Sequence, residues 1–326
     1  MDLASKVLQG DVLSAARLIR CLEDDVNGAA EELEQVYLHT GRAHVIGVSG
    51  APGAGKSTLV GCLIGAFRKQ AMKVGVVAVD PSSPFTGGAI LGDRVRMQGY
   101  GVDREVFIRS LASRGWKGGL ARAATSTIHV MDAMGKDIVL LEAVGSGQGE
   151  VDIARIADTT ILVLTPGMGD DVQMMKAGLL EAADLLVINK SDVPGAEQLQ
   201  ISLQQMLSMQ ARPASAWTPP ILMTQASCDR GTDEVAEAIL KHRQYLKESG
   251  KLDRRRQDRA RLELVWAVEG YLNSYIDSMD QAKLALLVDE LAQRKTNPRS
   301  VVLKIISEMS SGGRDGLFAD RNSEDA

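Results

Sequence analysis

Short continuous apolar runs punctuate the middle of the chain: HVIGV over 44–48, VGVVAV over 74–79, DIVLLE over 137–142, TTILVLT over 159–165, DLLVINK over 184–190 and PILMT over 220–224. Runs that do not alternate with polar residues fit strands covered on both faces, and the segments between them are long enough for crossover helices. The pattern predicts an α/β fold with a doubly wound, mostly parallel sheet. Upstream the period changes. Leu3, Val7, Leu8, Val12, Leu13, Ala16 and Leu18 recur largely at helical spacing and predict two helices before the sheet begins. After Asp233 the helical period returns, with Leu264, Val265, Val268, Tyr271, Leu272, Tyr275, Ile276 and Met279 on one stripe. Two further helices are expected around 281–294 and from Pro298 to Met309, the last opened by an Asn297 N-cap and a first-turn proline. The expected organisation is a helical extension over 1–40, a nucleotide-binding domain over 41–248, a helical arm over 249–310 and a disordered Gly-rich tail over 311–326.

A chain of 326 residues with 45% hydrophobic content can bury one large core. Its net charge of -5 supplies no field that would draw it to nucleic acid or to an anionic membrane. The one basic run, Lys251, Arg254, Arg255, Arg256, Arg259 and Arg261, is interleaved with Asp253, Asp258 and Glu263, the pattern of a solvated helix face. Cys21, Cys62 and Cys228 are too scattered for a disulfide framework or a zinc site and suggest a reducing cytoplasm. The N-terminus lacks the pattern of a secretory leader, and no stretch of ~18 apolar residues would span a membrane.

The chemistry begins at Gly50, Ala51, Pro52, Gly53, Ala54, Gly55, Lys56 and Ser57, followed by Thr58, which match a P-loop placed after a strand and before a helix. Its glycines let successive N–H groups converge on phosphate oxygens at the positive end of the following helix. Lys56 is expected on the β- and γ-phosphates, and Ser57 on Mg²⁺. Asn189, Lys190 and Asp192 of the NKSD string decide the base. An Asp192 carboxylate can accept from both N1–H and the exocyclic amine of guanine, whereas adenine would leave it facing a lone pair, so GTP is preferred. Gln225, Ala226 and Ser227, after the next strand, can supply a backbone N–H to guanine O6. Asp80, Asp93 and Glu142 are candidate magnesium-shell carboxylates, and Lys56, Glu142 and Asp93 the candidate catalytic groups. Glu142-Ala143-Val144-Gly145 parallels the D-x-x-G switch of GTPases, with the Gly145 N–H placed to sense the γ-phosphate and Gln148 beyond it a candidate for positioning water. No arginine finger is legible; Arg94 and Arg109 are the internal arginines to test.

VAVDPSSPFTGGAILGDRVRM over 77–97, FIRSLASRGWKGGLA over 107–121, EAVGSGQGEVD over 142–152 and PGMGDDVQMMKAG over 166–178 together closely resemble the methylmalonyl-CoA mutase-associated GTPases, a family also named for arginine/ornithine transport kinases. The resemblance spans nearly the whole chain. It implies a homodimeric G protein, hydrolysing GTP to GDP, that binds an adenosylcobalamin-dependent acyl-CoA mutase, gates delivery of its cofactor and protects it from inactivation. It implies magnesium and switch roles for Asp80, Asp93 and Glu142. It also implies a mutase-sensing switch around Asp170, Asp171 and Lys176, with Ser146 and Gln148 in the nucleotide switch. Ala143, Ser146 and Gly149 stand where the family usually carries Thr, Val and Ser. Two other readings are a nickel-inserting GTPase, which the unclustered His39, His44, His129 and His242 disfavour, and a kinase or transport ATPase, which the guanine motif disfavours.

Overall fold

The computed structural model describes residues 2–80, 103–112, 119–143, 153–167, 178–209, 213 and 216–312. The chain divides into two compact units, Met1–Ala267 and Val268–Ala326.

The first unit opens with α1 (Ala4–Leu8), α2 (Val12–Glu23) and α3 (Ala29–Tyr37), three helices where two were expected. The break falls at Gly10, whose φ of 83° no helix accommodates. Asp11 then restarts the chain by accepting from Ser14 N at 2.7 Å as the N-cap of α2. Glu32 of α3, itself buried, accepts from Leu3 N and Ala4 N and so satisfies two donors at the start of α1.

The sheet follows: β1 (His44–Gly50), α4 (Lys56–Lys69), β2 (Val74–Asp80), β3 (Val106–Ala112), α5 (Gly119–Ala133), β4 (Ile138–Ala143) and β5 (Thr159–Leu164). It continues with α6 (Leu179–Ala182), β6 (Leu185–Ile188), α7 (Ala196–Met209), β7 (Ile221–Met223), a 3-10 turn at Ala226–Cys228 and α8 (Thr232–Glu248). Among the described residues seven strands form one sheet, all parallel, in the order β3-β2-β4-β1-β5-β6-β7. The six expected runs are all strands. The seventh, β3, escaped the hydrophobic pattern because Arg109 and Ser110 interrupt its apolar run. Among the described residues it pairs only with β2, and an edge position tolerates half-buried polar side chains that a central strand would not. Arg109 there is held by Glu23.

One face of the sheet packs Leu59, Leu63, Ile64 and Phe67 of α4 and Val235 and Ile239 of α8 against Ile46, Val48, Ile161 and Val163. The opposite face brings α1, α2 and α5 onto Val45, Val77, Val79, Val139 and Leu141. The N-terminal helices are therefore part of the main core. The helix α9 (Lys251–Ser278) runs across the division between the units. In the second unit α10 (Gln281–Ala292) and α11 (Pro298–Gly312) bury Leu287, Val301 and Ile305 against Tyr275, Met279 and Leu291. No helix among the described residues is long and apolar enough to cross a membrane.

A buried polar layer closes the N-terminal ends of β1, β5 and β6. His44 Nε2 and His242 Nδ1 each lie 2.8 Å from Thr159 Oγ1, and His242 Nε2 lies 3.3 Å from Asp184 Oδ1. Burial lowers the pKa of His242 to about 4, against a smaller upward pull from Asp184. Burial lowers His44 in the same sense, helped by Arg243. An unfolded histidine takes its proton near pH 6.5, whereas the folded one resists it, so stability present above that pH is lost as the pH falls. His242 alone is expected to withdraw about 3 kcal/mol between pH 6.5 and pH 4. Urea unfolding at stepped pH checks this: His242→Gln should flatten the decline, and parallel declines in both proteins would refute the assignment.

Candidate functional site

The P-loop leaves β1 at Gly50 and enters α4 at Lys56. At Gly50, φ is 146° and a Cβ would stand 2.3 Å from Val163 O; at Gly55, φ is 91° and a Cβ would stand 2.2 Å from Asn189 Nδ2. Backbone and neighbours therefore both require glycine at these two positions. Between them Ala51 and Ala54 are buried, while Pro52 and Gly53 are exposed on the outer turn. The Lys56 ammonium donates to Gly50 O at 2.6 Å and Ala51 O at 3.0 Å, which holds it within the curl of the loop. Thr58 follows on the first turn of α4, half-buried.

Asn189 joins this loop to the NKSD segment. Its Nδ2 donates to Ala54 O at 2.8 Å, while its Oδ1 accepts from Ala226 N at 3.1 Å and from Thr224 Oγ1 at 3.2 Å. One buried amide thus registers the loops that follow β1, β6 and β7 against one another. Lys190 turns the chain with a φ of 56°, which leaves Lys190 and Asp192 exposed beyond the strand end. In the turn after β7, Gln225 N donates to Arg230 O and Ala226 N to Asn189, so two of the three expected backbone donors are engaged within the protein. Ser227 is exposed beside them.

Glu142 lies in β4 between Val48 of β1 and Ala78 of β2. Ser57 Oγ, at the start of α4, donates to Glu142 Oε1 at 2.5 Å, and both side chains are buried. Asp80 ends β2 at this same edge of the sheet, level with Ala112. Asp93, Arg94, Gly145, Ser146, Gln148, Asp170, Asp171 and Lys176 lie outside the described residues. A hydroxyl and a carboxylate meeting at the mouth of a P-loop fit Mg²⁺, which takes a few hard oxygen ligands and keeps several waters.

At the other end of the strands the basic run departs from the expected solvated face. Arg255 forms a bidentate pair with Asp184, at 2.8 Å on each arm, and also donates to Asp158 O. Arg259 donates to Ile156 O at 2.8 Å and reaches Asp158 Oδ1 at 3.4 Å. The alternation of charges along α9 carried no sign of these partners, which are contributed by β5 and β6 and their approaches.

The chain matches known proteins over most of its length. It is 42% identical over 315 residues to a Pyrococcus abyssi protein named as a GTPase, which covers 96% of this chain and 97% of the relative. It is 38% identical over 231 residues to the GTPase ArgK of Escherichia coli, 70% of each chain. The solved structure of an LAO/AO transport system kinase superposes with a TM-score of 0.66 at 25% identity, over 95% of this chain and 97% of that one. The family model described as methylmalonyl Co-A mutase-associated GTPase MeaB matches residues 15–280, a span that takes in the P-loop, the Asn189 hub and α9. On that family match and the identity to a relative along nearly its whole length, this chain is a GTPase and belongs to the MeaB family.

Proposed function

We propose that this GTPase is a Mg·GTP-driven chaperone for an adenosylcobalamin-dependent acyl-CoA mutase of the methylmalonyl-CoA type, assisting its cofactor loading and protecting it from inactivation. The observation that carries this reading is the family match over 15–280, whose description associates the family with that mutase.

At the nucleotide, the P-loop backbone and Lys56 hold the β- and γ-phosphates, and Asp192 accepts from N1–H and the exocyclic amine of guanine. With Gln225 N and Ala226 N engaged within the protein, Ser227 supplies the backbone donor to guanine O6. Ser57, Glu142, Asp80 and Asp93 hold the magnesium ion, which supplies charge stabilisation to the transferring phosphoryl group when bound. Gly145 senses the γ-phosphate, Ser146 and Gln148 belong to the same switch, and Asp170, Asp171 and Lys176 respond to the client. The protein acts in the cytoplasm, in keeping with three free thiols.

The working form is a homodimer. Leu264, Val268 and Tyr271 on α9 and Leu286 on α10 are each more than half exposed and supply apolar side chains for that interface. Val268→Asp with Tyr271→Asp is expected to shift the sedimentation mass from two chains to one. An unchanged mass would remove the arm from the interface.

The functional test is GTP hydrolysis with and without such a mutase, with ATP as control. The mutase is expected to stimulate GTP turnover and leave ATP untouched. Guanine-specific turnover indifferent to every such mutase would keep the GTPase and remove the chaperone role.

A further inference from the structure

A cavity of about 300 Å³ opens at the end of the sheet remote from the P-loop, between the end of α3, the start of β1, α5 and the first turns of α9. Its volume lies at the small end of ligand pockets. Val45, Ile128 and Ile156, all buried, give it apolar walls.

Its acids are already served. The Asp132 carboxylate accepts from Gly41 N at 2.6 Å, Arg42 N at 3.2 Å and Ala43 N at 3.0 Å. Glu263 pairs with His129 at 3.3 Å and lies 4.0 Å from Arg259. Arg259 is committed to Ile156 O and Asp158, and Asp158 also accepts from Val45 N at 2.9 Å.

Arg256 differs from its neighbours. It lines the cavity and is half-buried, and among the described residues it has no hydrogen bond or ion pair, although its charge acts on the buried Asp158. The planar fork of a guanidinium beside a cavity matches a carboxylate held by two parallel hydrogen bonds.

We propose that this cavity binds a small aliphatic monocarboxylate, its carboxylate accepting from the Arg256 fork and its chain lying against Val45, Ile128 and Ile156. Two features select this class. The apolar walls take a short hydrocarbon body, and the nearby Asp132 and Glu263 charges disfavour a dianion such as phosphate or a dicarboxylate. The site is separate from the nucleotide, and it would tie α3, α5 and α9 together through one ligand.

Isothermal titration of the full chain with isobutyrate, with phosphate and succinate as comparison anions, tests the proposal. Saturable isobutyrate binding is expected, stronger than that of either dianion, and weakened roughly tenfold or more by Arg256→Met, as for loss of a charged hydrogen bond. GTP affinity of the variant should equal that of the parent. Ala260→Leu, which fills the cavity from α9 at an exposed position and leaves Arg256 in place, should weaken isobutyrate equally and decides the matter should Arg256→Met fail to fold. Absence of saturable binding, preference for a dianion, or undiminished affinity in the variants would overturn the assignment.

Discussion

Asn189→Ala is expected to abolish measurable GTP binding and to lower the unfolding free energy by about 3 kcal/mol, since three buried polar partners lose their hydrogen bonds at about 1 kcal/mol or more each. The partners are Ala54 O, Ala226 N and Thr224 Oγ1, from two different loops. No single replacement side chain reaches all of them. Gly55→Ala attacks the same contact from the other side, because its Cβ would stand 2.2 Å from Asn189 Nδ2 on a backbone already at φ 91°. The two variants should therefore fail alike, whereas Asp192→Asn, at an exposed position, should spare stability and lose the preference for guanine. Nucleotide titration together with denaturant unfolding separates these outcomes. An Asn189→Ala protein that binds GTP as the parent does would show that the hub is dispensable.

Glu142→Gln is expected to reduce GTP hydrolysis on the order of 10²–10³-fold, the loss typical when one preorganised electrostatic group is removed from an active site. The amide keeps the shape of the side chain and an oxygen for Ser57 Oγ, now 2.5 Å from Oε1, so the fold should survive. What disappears is the negative charge between β1 and β2 that would hold magnesium. Single-turnover hydrolysis across a magnesium titration checks this. The expected signature is a rise in the metal concentration needed for half-maximal rate, and a rate within threefold of the parent at all concentrations would rule the role out.

Much of the candidate nucleotide site was legible because it is built from consecutive residues. A P-loop needs its glycines, lysine and serine at set spacings, and the strand before it and helix after it announce themselves by periodicity. Five of the six predicted strands lie inside the sheet and were legible for a related reason, while β7 at the far edge kept a short apolar run of its own. Burial on both faces demands unbroken apolar runs, and chance seldom produces six of them in order.

The β3 edge and the long-range partners were not legible. β3 carries Arg109 and Ser110 because a sheet edge buries it incompletely, so its composition falls below the signal of a buried strand. Asn189 stood in the sequence as a guanine-motif residue, yet its contacts span 135 positions to Ala54 and 37 to Ala226, and no local pattern encodes such a span.

The sequence by itself determined the fold class, the guanine nucleotide and the placing of the P-loop and NKSD motifs after their strands, since each depends on residue type and spacing within one short segment. Only the tertiary structure decided that Arg255 and Arg259 plug the lower end of the sheet instead of facing water, and that Arg256 between them is left beside a cavity. Their partners arrive from strands about a hundred or fewer residues away, and the free energy of a charged group is set by what folding brings against it, not by its neighbours along the chain.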